Sequence, residues 1–260
     1  MSKRNQIVLL FLLIIILIGI NYQFLDSKLE EAFSEYEGGV VERVIDGDTI
    51  VVNNISVRLL GINSPENKEA YYDEAKKFLE NRTLEKRVRF GFGGERYDRY
   101  DRMLAYVFFG GKNVNLELIE QGLANFYFPS RHDRYYSEFV NAWEQCVESN
   151  KNLCEGSVDE CADCISLEKF DYKNEIIEFF NNCNFDCEMT NWKIKDEGRK
   201  NFIFPEFVLG SRKKIKVITG DGTNTDEEMH WGGYDYVWTD SGDALFLRDD
   251  LGKLVLWERY

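Results

Sequence analysis

Asp46-Gly47-Asp48-Thr49, with Arg58-Leu59-Leu60-Gly61-Ile62-Asn63-Ser64-Pro65-Glu66 close behind it, is the stretch around which the first half of the chain is organised. Two acids flank a glycine at a turn, an arginine follows on the next strand, and a polar Asn-Ser-Pro-Glu run ends that strand. Carboxylate and amide oxygens suit a hard cation such as calcium or magnesium. A guanidinium forks onto phosphate oxygens, and the remaining glutamate is placed to take a proton from water. In isolation Asp46 and Asp48 also read as turn formers, because Asp-Gly is a common turn dipeptide. Beside Arg58 and Glu66 the chemical reading outweighs the conformational one.

Outward from this stretch, Val40-Val41-x-x-Val44-Ile45, Ile50-Val51-Val52 and Ile55-x-Val57-x-Leu59 are short β-branched runs broken at Asp46-Gly47 and Asn53-Asn54. They read as a three-stranded meander with tight hairpins. Glu69 to Leu79 then has helix-forming composition, with Ala70, Ala75, Phe78 and Leu79 on a rough apolar face. Val88-x-Phe90-x-Phe92 and Met103 to Phe109 return to strand patterning. Asn113 to Leu123 reads as a helix capped by Asn113 and closed near Gly122. A last helix from about Ser137 carries Phe139, Ala142, Trp143, Cys146 and Val147 in one stripe, the mark of a core-facing surface.

Three blocks of residues carry a resemblance. Val44 to Glu66 resembles the active-site half of the staphylococcal nuclease (thermonuclease) family, whose Asp-Gly-Asp-Thr turn precedes an Arg-Leu-Leu strand ending in Asp-Thr-Pro-Glu. Asp98-Arg99-Tyr100-Asp101-Arg102-Met103-Leu104-Ala105-Tyr106 is similar to that family's second block, and Val114-Asn115-Leu116 through Gln121-Gly122-Leu123-Ala124 to its third. The resemblance implies a mainly β fold for 39–156, a five-stranded oligonucleotide-binding (OB-fold) barrel with about three helices. It also implies a calcium-dependent nuclease acting on DNA or RNA. Asp48 then matches a direct metal ligand, Asp46 an acid that reaches the metal through water, and Ser64 a backbone-carbonyl ligand. Asn63 stands where the family has a second ligating aspartate, which removes one negative charge and implies weaker calcium binding. Glu66 matches the residue that activates or orients the attacking water; Arg58 and Arg102 match the arginines that hold the scissile phosphate. Arg99 and Tyr100 match phosphate contacts, and Tyr127, between Phe126 and Phe128, is the candidate for stacking on a base. The competing reading is a barrel that binds nucleic acid with weak or no chemistry, and Asn63 is the residue that favours it.

Beyond residue 171 short strands recur: Ile176-Ile177-x-Phe179-Phe180, Trp192-x-Ile194, Lys214 to Ile218, Ala244 to Leu247 and Leu254 to Trp257. Such spacing predicts a β-sandwich. Thr190-Asn191-Trp192-x-Ile194-x-Asp196, Phe204-Pro205, Val217 to Gly222, Tyr236-Val237-Trp238 and Ser241-Gly242-Asp243-x-x-x-Leu247 make 172–260 similar to a lamin tail domain, an immunoglobulin-like sandwich. Those residues are structural, so this resemblance implies a fold and no activity; an envelope component or protein partner for the sandwich is the accompanying expectation. Residues 157–171 read as a cysteine-containing connector.

The formal net charge is −14, unusual for a chain that meets nucleic acid. Residues 39–156 carry 16 basic and 19 acidic side chains and residues 157–260 carry 13 and 22, so most of the acidity lies in the second half. At the other end, Lys3 and Arg4 precede the apolar run Ile7 to Ile20, which predicts a membrane anchor or signal peptide over 1–25, followed by an acidic spacer over 26–38. The body of the protein is then extracytoplasmic, tethered by the anchor or secreted if it is cleaved. Export favours disulfides for Cys146, Cys154, Cys161, Cys164, Cys183 and Cys187, with Cys146 and Cys154 as a local pair. The alternative for the last four is a tetrahedral zinc site. Two histidines, His132 and His230, argue against histidine-based chemistry.

Overall fold

A computed structural model describes Asn5, residues 37–129 and residues 133–260. The apolar run, almost all of the acidic spacer and His132 lie outside these residues. Among the described residues no helix is long and apolar enough to cross a membrane.

The expected meander is present as β1 (Gly38–Asp46), β2 (Thr49–Val52) and β3 (Ile55–Leu59). Asn53 and Asn54 both take positive φ, 51° and 61°, the geometry that turns β2 tightly into β3. After β4 (Gly61–Asn63) come helix α1 (Tyr72–Thr83), β5 (Arg87–Gly91), β6 (Met103–Phe109), β7 (Lys112–Asn113), helix α2 (Val114–Glu120), β8 (Asn125–Tyr127) and helix α3 (Tyr136–Ser149). The sheet runs β3-β2-β1-β5-β6-β7 and closes on itself through a parallel β3–β6 pairing, Val57 to Met103 and Leu59 to Ala105. Closure removes the edges and makes the expected barrel of five main strands with three helices. β4 leaves the barrel to pair antiparallel with β8, which sets Asn63 opposite Asn125.

Helix α1 starts three residues later than the composition suggests. Tyr71 sits in the left-handed region at φ 68°, which no α-helix continues through, and Ala70 is exposed while Ala75 and Leu79 are buried. Helix α2 is capped as expected, the Asn113 side chain accepting from the Asn115 and Leu116 amides. Helix α3 buries Phe139, Ala142, Trp143 and Cys146.

The second half is built from β9 (Ile165–Asp171), β10 (Ile176–Asn181), β11 (Cys187–Glu188), β12 (Lys193–Lys195), β13 (Asn201–Ile203), β14 (Val208–Leu209), β15 (Lys214–Thr219), β16 (Glu228–Trp231), β17 (Ala244–Arg248) and β18 (Leu254–Arg259). Two four-stranded sheets, β16-β15-β10-β9 and β13-β12-β17-β18, face one another over Phe179, Trp192, Ile194, Phe204, Ile215 and Leu247. This is the strand-rich, immunoglobulin-like body expected. The segment read as a connector is not one throughout, since β9 lies within it and pairs along β10. Its alternation is weak because only Ile165 of that strand is fully buried.

Disulfides join Cys146 to Cys154, Cys161 to Cys187 and Cys164 to Cys183. No described cysteine is free, so the zinc alternative fails for want of thiolates.

Gly38–Tyr260 forms one compact unit. Phe246 and Trp257 of the sandwich pack edge-on against Trp143 of α3, with ring centroids 5.1 and 6.4 Å apart, and against Phe126 of β8. Ala244, Phe246 and Leu254 consequently belong to the barrel's apolar cluster rather than to the sandwich's own. The buried guanidinium of Arg248 donates to the Leu153 carbonyl at 2.6 Å across the same seam. Burial draws that guanidinium's pKa down to about 10.

Candidate active site

The turn between β1 and β2 folds on local contacts. Asp46 Oδ1 accepts from the Asp48 amide at 3.1 Å, an Asx-type turn. Gly47 is needed for a close approach: a Cβ there would lie 2.7 Å from the Ala75 Cβ and 2.8 Å from Ser64 Oγ. That approach lets Asp48 Oδ2 accept from both the amide and the hydroxyl of Ser64, each at 3.0 Å. The other oxygen, Oδ1, accepts from Thr49 Oγ1 at 3.0 Å.

Arg58 lies opposite Thr49 on the neighbouring strand, so its guanidinium reaches the same carboxylate. Nη1 is 3.1 Å from Asp48 Oδ2 and donates to the Leu59 carbonyl at 3.0 Å, while Nη2 donates to Asn63 Oδ1 at 3.2 Å. Asp48, Arg58, Asn63 and Ser64 are all at most 6% exposed. Burial alone would raise the Asp48 carboxyl; Arg58, the two Ser64 donors and Thr49 together hold it below its ordinary value. Asp46 is raised, first by burial and then by the charge of Asp48. Two carboxylates close enough for the charge of one to raise the other, beside a neutral amide oxygen, are the donor types a hard divalent cation takes, and the residues fit calcium in kind. Among the described residues no group of three or more Asp, Glu, His or Cys side chains is arranged to hold a metal ion, so the anionic part of this set is two carboxylates.

Glu66 follows β4 on an exposed turn, its amide donating to Glu69 Oε2 at 2.8 Å. Arg102 immediately precedes β6. Because Arg58 pairs with Leu104 in the parallel register, Arg102, two residues before it, projects to the same face of the next strand. Its guanidinium is held by Asp98 at 2.7 Å, and Asp98 also accepts from the Arg102 and Tyr100 amides. Burial would raise the Asp98 carboxyl, but these donors lower it. Arg99 and Tyr100 are exposed on the same turn, the guanidinium 4.8 Å from the ring centroid. Tyr127 lies at the end of β8, half-buried. The structure therefore gathers Asp46, Asp48, Arg58, Asn63 and Ser64, and leaves Arg99, Tyr100 and Arg102 on a loop held by Asp98.

The part of the site that sequence reading missed comes from the sandwich. The β12–β13 hairpin, whose Lys195 pairs with Asn201, presents its tip Asp196-Glu197-Gly198-Arg199-Lys200 to the barrel. Asn63 Nδ2 donates to the Gly198 carbonyl at 2.7 Å, and Asn125 Nδ2 to the Glu197 carbonyl at 2.9 Å. Glu197 Oε2 accepts from the Phe128 amide at 3.0 Å. Arg199 Nε lies 2.8 Å from Glu66 Oε1, and Lys195 pairs with Glu69 at 3.1 Å. Behind the tip Asp196, Glu197 and Asp243 are buried together. Burial raises all three carboxyls, Asp196 to about 7, Glu197 to about 8 and Asp243 to about 6. For Asp196 the Asp243 charge adds to the effect.

A closed five-stranded barrel carrying a buried carboxylate–guanidinium pair beside one turn defines a class: oligonucleotide-barrel proteins with a phosphate-handling site. Comparison with known proteins agrees. The family described as Staphylococcal nuclease homologue matches residues 56–155, and Lamin Tail Domain matches residues 162–260. A thermonuclease of Staphylococcus hyicus is 32% identical over 123 residues, covering 44% of this chain and 73% of its own length. One from Staphylococcus intermedius is 29% identical over 167 residues, 60% of this chain and 99% of its own. An uncharacterized endonuclease of Haemophilus influenzae is 38% identical over 101 residues, 37% of this chain and 56% of its own. The chain belongs to the staphylococcal nuclease family, with a lamin tail domain following the nuclease barrel.

Proposed function

We propose that the protein is a calcium-dependent phosphodiesterase that cleaves DNA, RNA or both by attack of water on phosphorus. The observation that carries this reading is the buried Asp48–Arg58 pair at 3.1 Å, placed on one short segment with Asn63, Ser64 and Glu66. Glu66 takes the proton from water as its oxygen bonds to phosphorus, and the P–O bond to the leaving sugar oxygen breaks. Arg58, with Arg102 from the loop before β6, meets the negative charge that grows on the phosphoryl oxygens. Arg99 and Tyr100 contact a neighbouring phosphate, and Tyr127 stacks on a base. Asp46, Asp48, Asn63 Oδ1 and the Ser64 carbonyl would hold calcium, which when bound polarises a phosphoryl oxygen.

The site acts outside the cytoplasm in this reading, tethered by the apolar segment behind Lys3 and Arg4; three disulfides in the described residues suit an oxidising compartment. Asn63 supports a second reading, a barrel that binds nucleic acid and cuts it slowly or not at all, since it supplies no negative charge to a metal. Digestion of single-stranded DNA and RNA, with calcium and then with a chelator, separates the two. Calcium-dependent cleavage that Glu66→Gln abolishes is the expected result. Binding without cleavage in any divalent metal would select the second reading.

A further inference from the structure

Asn63 and Asn125 face each other across the β4–β8 ladder, and each gives its side-chain amide to one of two successive carbonyls, those of Gly198 and Glu197, in the sandwich hairpin. The Asn63 amide has one orientation that serves both neighbours, Oδ1 toward the Arg58 guanidinium and Nδ2 toward the Gly198 carbonyl. An ionised aspartate has no hydrogen to give and would set an oxygen against that carbonyl. The departure at position 63 thus has a local cause: the residue serves two domains. Gly198 fits the same purpose, because a Cβ there would come within 3.3 Å of the Tyr127 ring and 3.2 Å of Asp196 Oδ2.

These contacts bring Arg199 to Glu66. Arg199 Nε lies 2.8 Å from Glu66 Oε1, and the two side chains stay 56% and 48% exposed. The ion pair holds the Glu66 carboxylate beside the hairpin tip while leaving about half of the side chain open to solvent. We propose that the β12–β13 hairpin tip is a working part of the phosphodiesterase site, with Arg199 the positioning residue that aims Glu66. This rests on the phosphodiesterase reading given above. The sandwich is then not a separate adhesion module attached to a nuclease; one of its hairpins completes the wall of the site.

The test is steady-state cleavage of a single-stranded DNA oligonucleotide by the full chain with calcium, for the wild type, Arg199→Ala and Arg199→Lys. A misaimed base costs turnover rather than affinity, so Arg199→Ala should lower kcat on the order of 10- to 100-fold. KM should change less than about twofold, and Arg199→Lys, which keeps a donor of the same charge, should recover part of the loss. Thermal unfolding should be nearly unchanged, since the pair is exposed. Wild-type cleavage with an unaltered Arg199→Ala kcat overturns the inference alone, and a raised kcat overturns it by making the contact a blockade. A wild type that does not cleave removes the phosphodiesterase reading, and this inference with it.

Discussion

The barrel half and the sandwich half of the site bury carboxylates to the same depth and treat them in opposite ways. Asp48, 2% exposed, is held ionised because Arg58 lies 3.1 Å away and Ser64 gives it two further donors. Asp196, Glu197 and Asp243, 3 to 6% exposed, have no guanidinium at that range among their described hydrogen bonds and ion pairs, and burial pushes all three upward. Burial by itself does not set the charge of an acid; the partner that shares the burial does. The barrel thus presents charge where a phosphate and a cation would be handled. The sandwich holds its acids at raised pKa in and behind a hairpin that meets the barrel through two carbonyls, the Glu197 carboxyl and one arginine.

Removing the partner should break that contrast most severely. Arg58→Ala leaves Asp48 buried without its counterion, a change that costs about 3–5 kcal/mol where such pairs are broken. It also removes a donor to the developing phosphoryl charge, so cleavage should fall on the order of 100-fold or more. Urea unfolding and single-turnover cleavage read the two effects. Unaltered stability would mean that Asp48 is not held by Arg58.

The sandwich acids give the next effect, through pH. Their folded pKa values lie above the ordinary 3.8 and 4.5, so between about pH 4 and 8 the folded protein binds more protons than the unfolded chain. Their stabilisation is complete below about pH 4 and is lost as pH rises through about 6 to 8, a loss of roughly a few kcal/mol. Asp48, lowered in the folded state, works the other way and loses its contribution as pH falls. Urea midpoints across pH 5 to 9 measure the slope. Glu197→Gln, which keeps an oxygen for the Phe128 amide, should flatten it.

Asn63→Asp sharpens the comparison from the seam itself. The new carboxylate loses the N–H that serves Gly198 and faces its carbonyl, which should cost about 1–3 kcal/mol. It also adds a negative oxygen to the metal set, so calcium affinity should rise. A stability loss together with tighter calcium, seen by thermal unfolding and calorimetric titration, is the expected pair of changes. Stability unchanged or increased would show that the Gly198 contact carries no weight.

How far the site was legible follows from chain separation. Asp46 to Glu66 is one contiguous segment in which two hairpins bring near neighbours together, so alternation and turn residues outline its strands, while the barrel and the residues' roles come from the family resemblance. Asn113 was likewise readable as a cap, because capping is decided within four residues. The Asn63–Gly198 bond spans 135 residues, and nothing local in Asp196-Glu197-Gly198-Arg199 distinguishes a docking tip from an ordinary hairpin. Strand β9 escaped notice because a strand with one fully buried position shows little alternation. Cys146 and Cys154 are a readable pair at close spacing, whereas the nested pairing of Cys161 with Cys187 and Cys164 with Cys183 is a property of the folded sandwich.

The central claim, that the two halves act as one site through Glu66 and Arg199, is tested most directly by a double-mutant cycle on kcat. The four proteins are the wild type, Glu66→Gln, Arg199→Ala and the double variant, assayed on the same oligonucleotide with calcium. If Arg199 acts only through Glu66, its removal lowers kcat in the wild type and has no further effect once Glu66 is Gln. Independent, multiplicative losses would contradict the account.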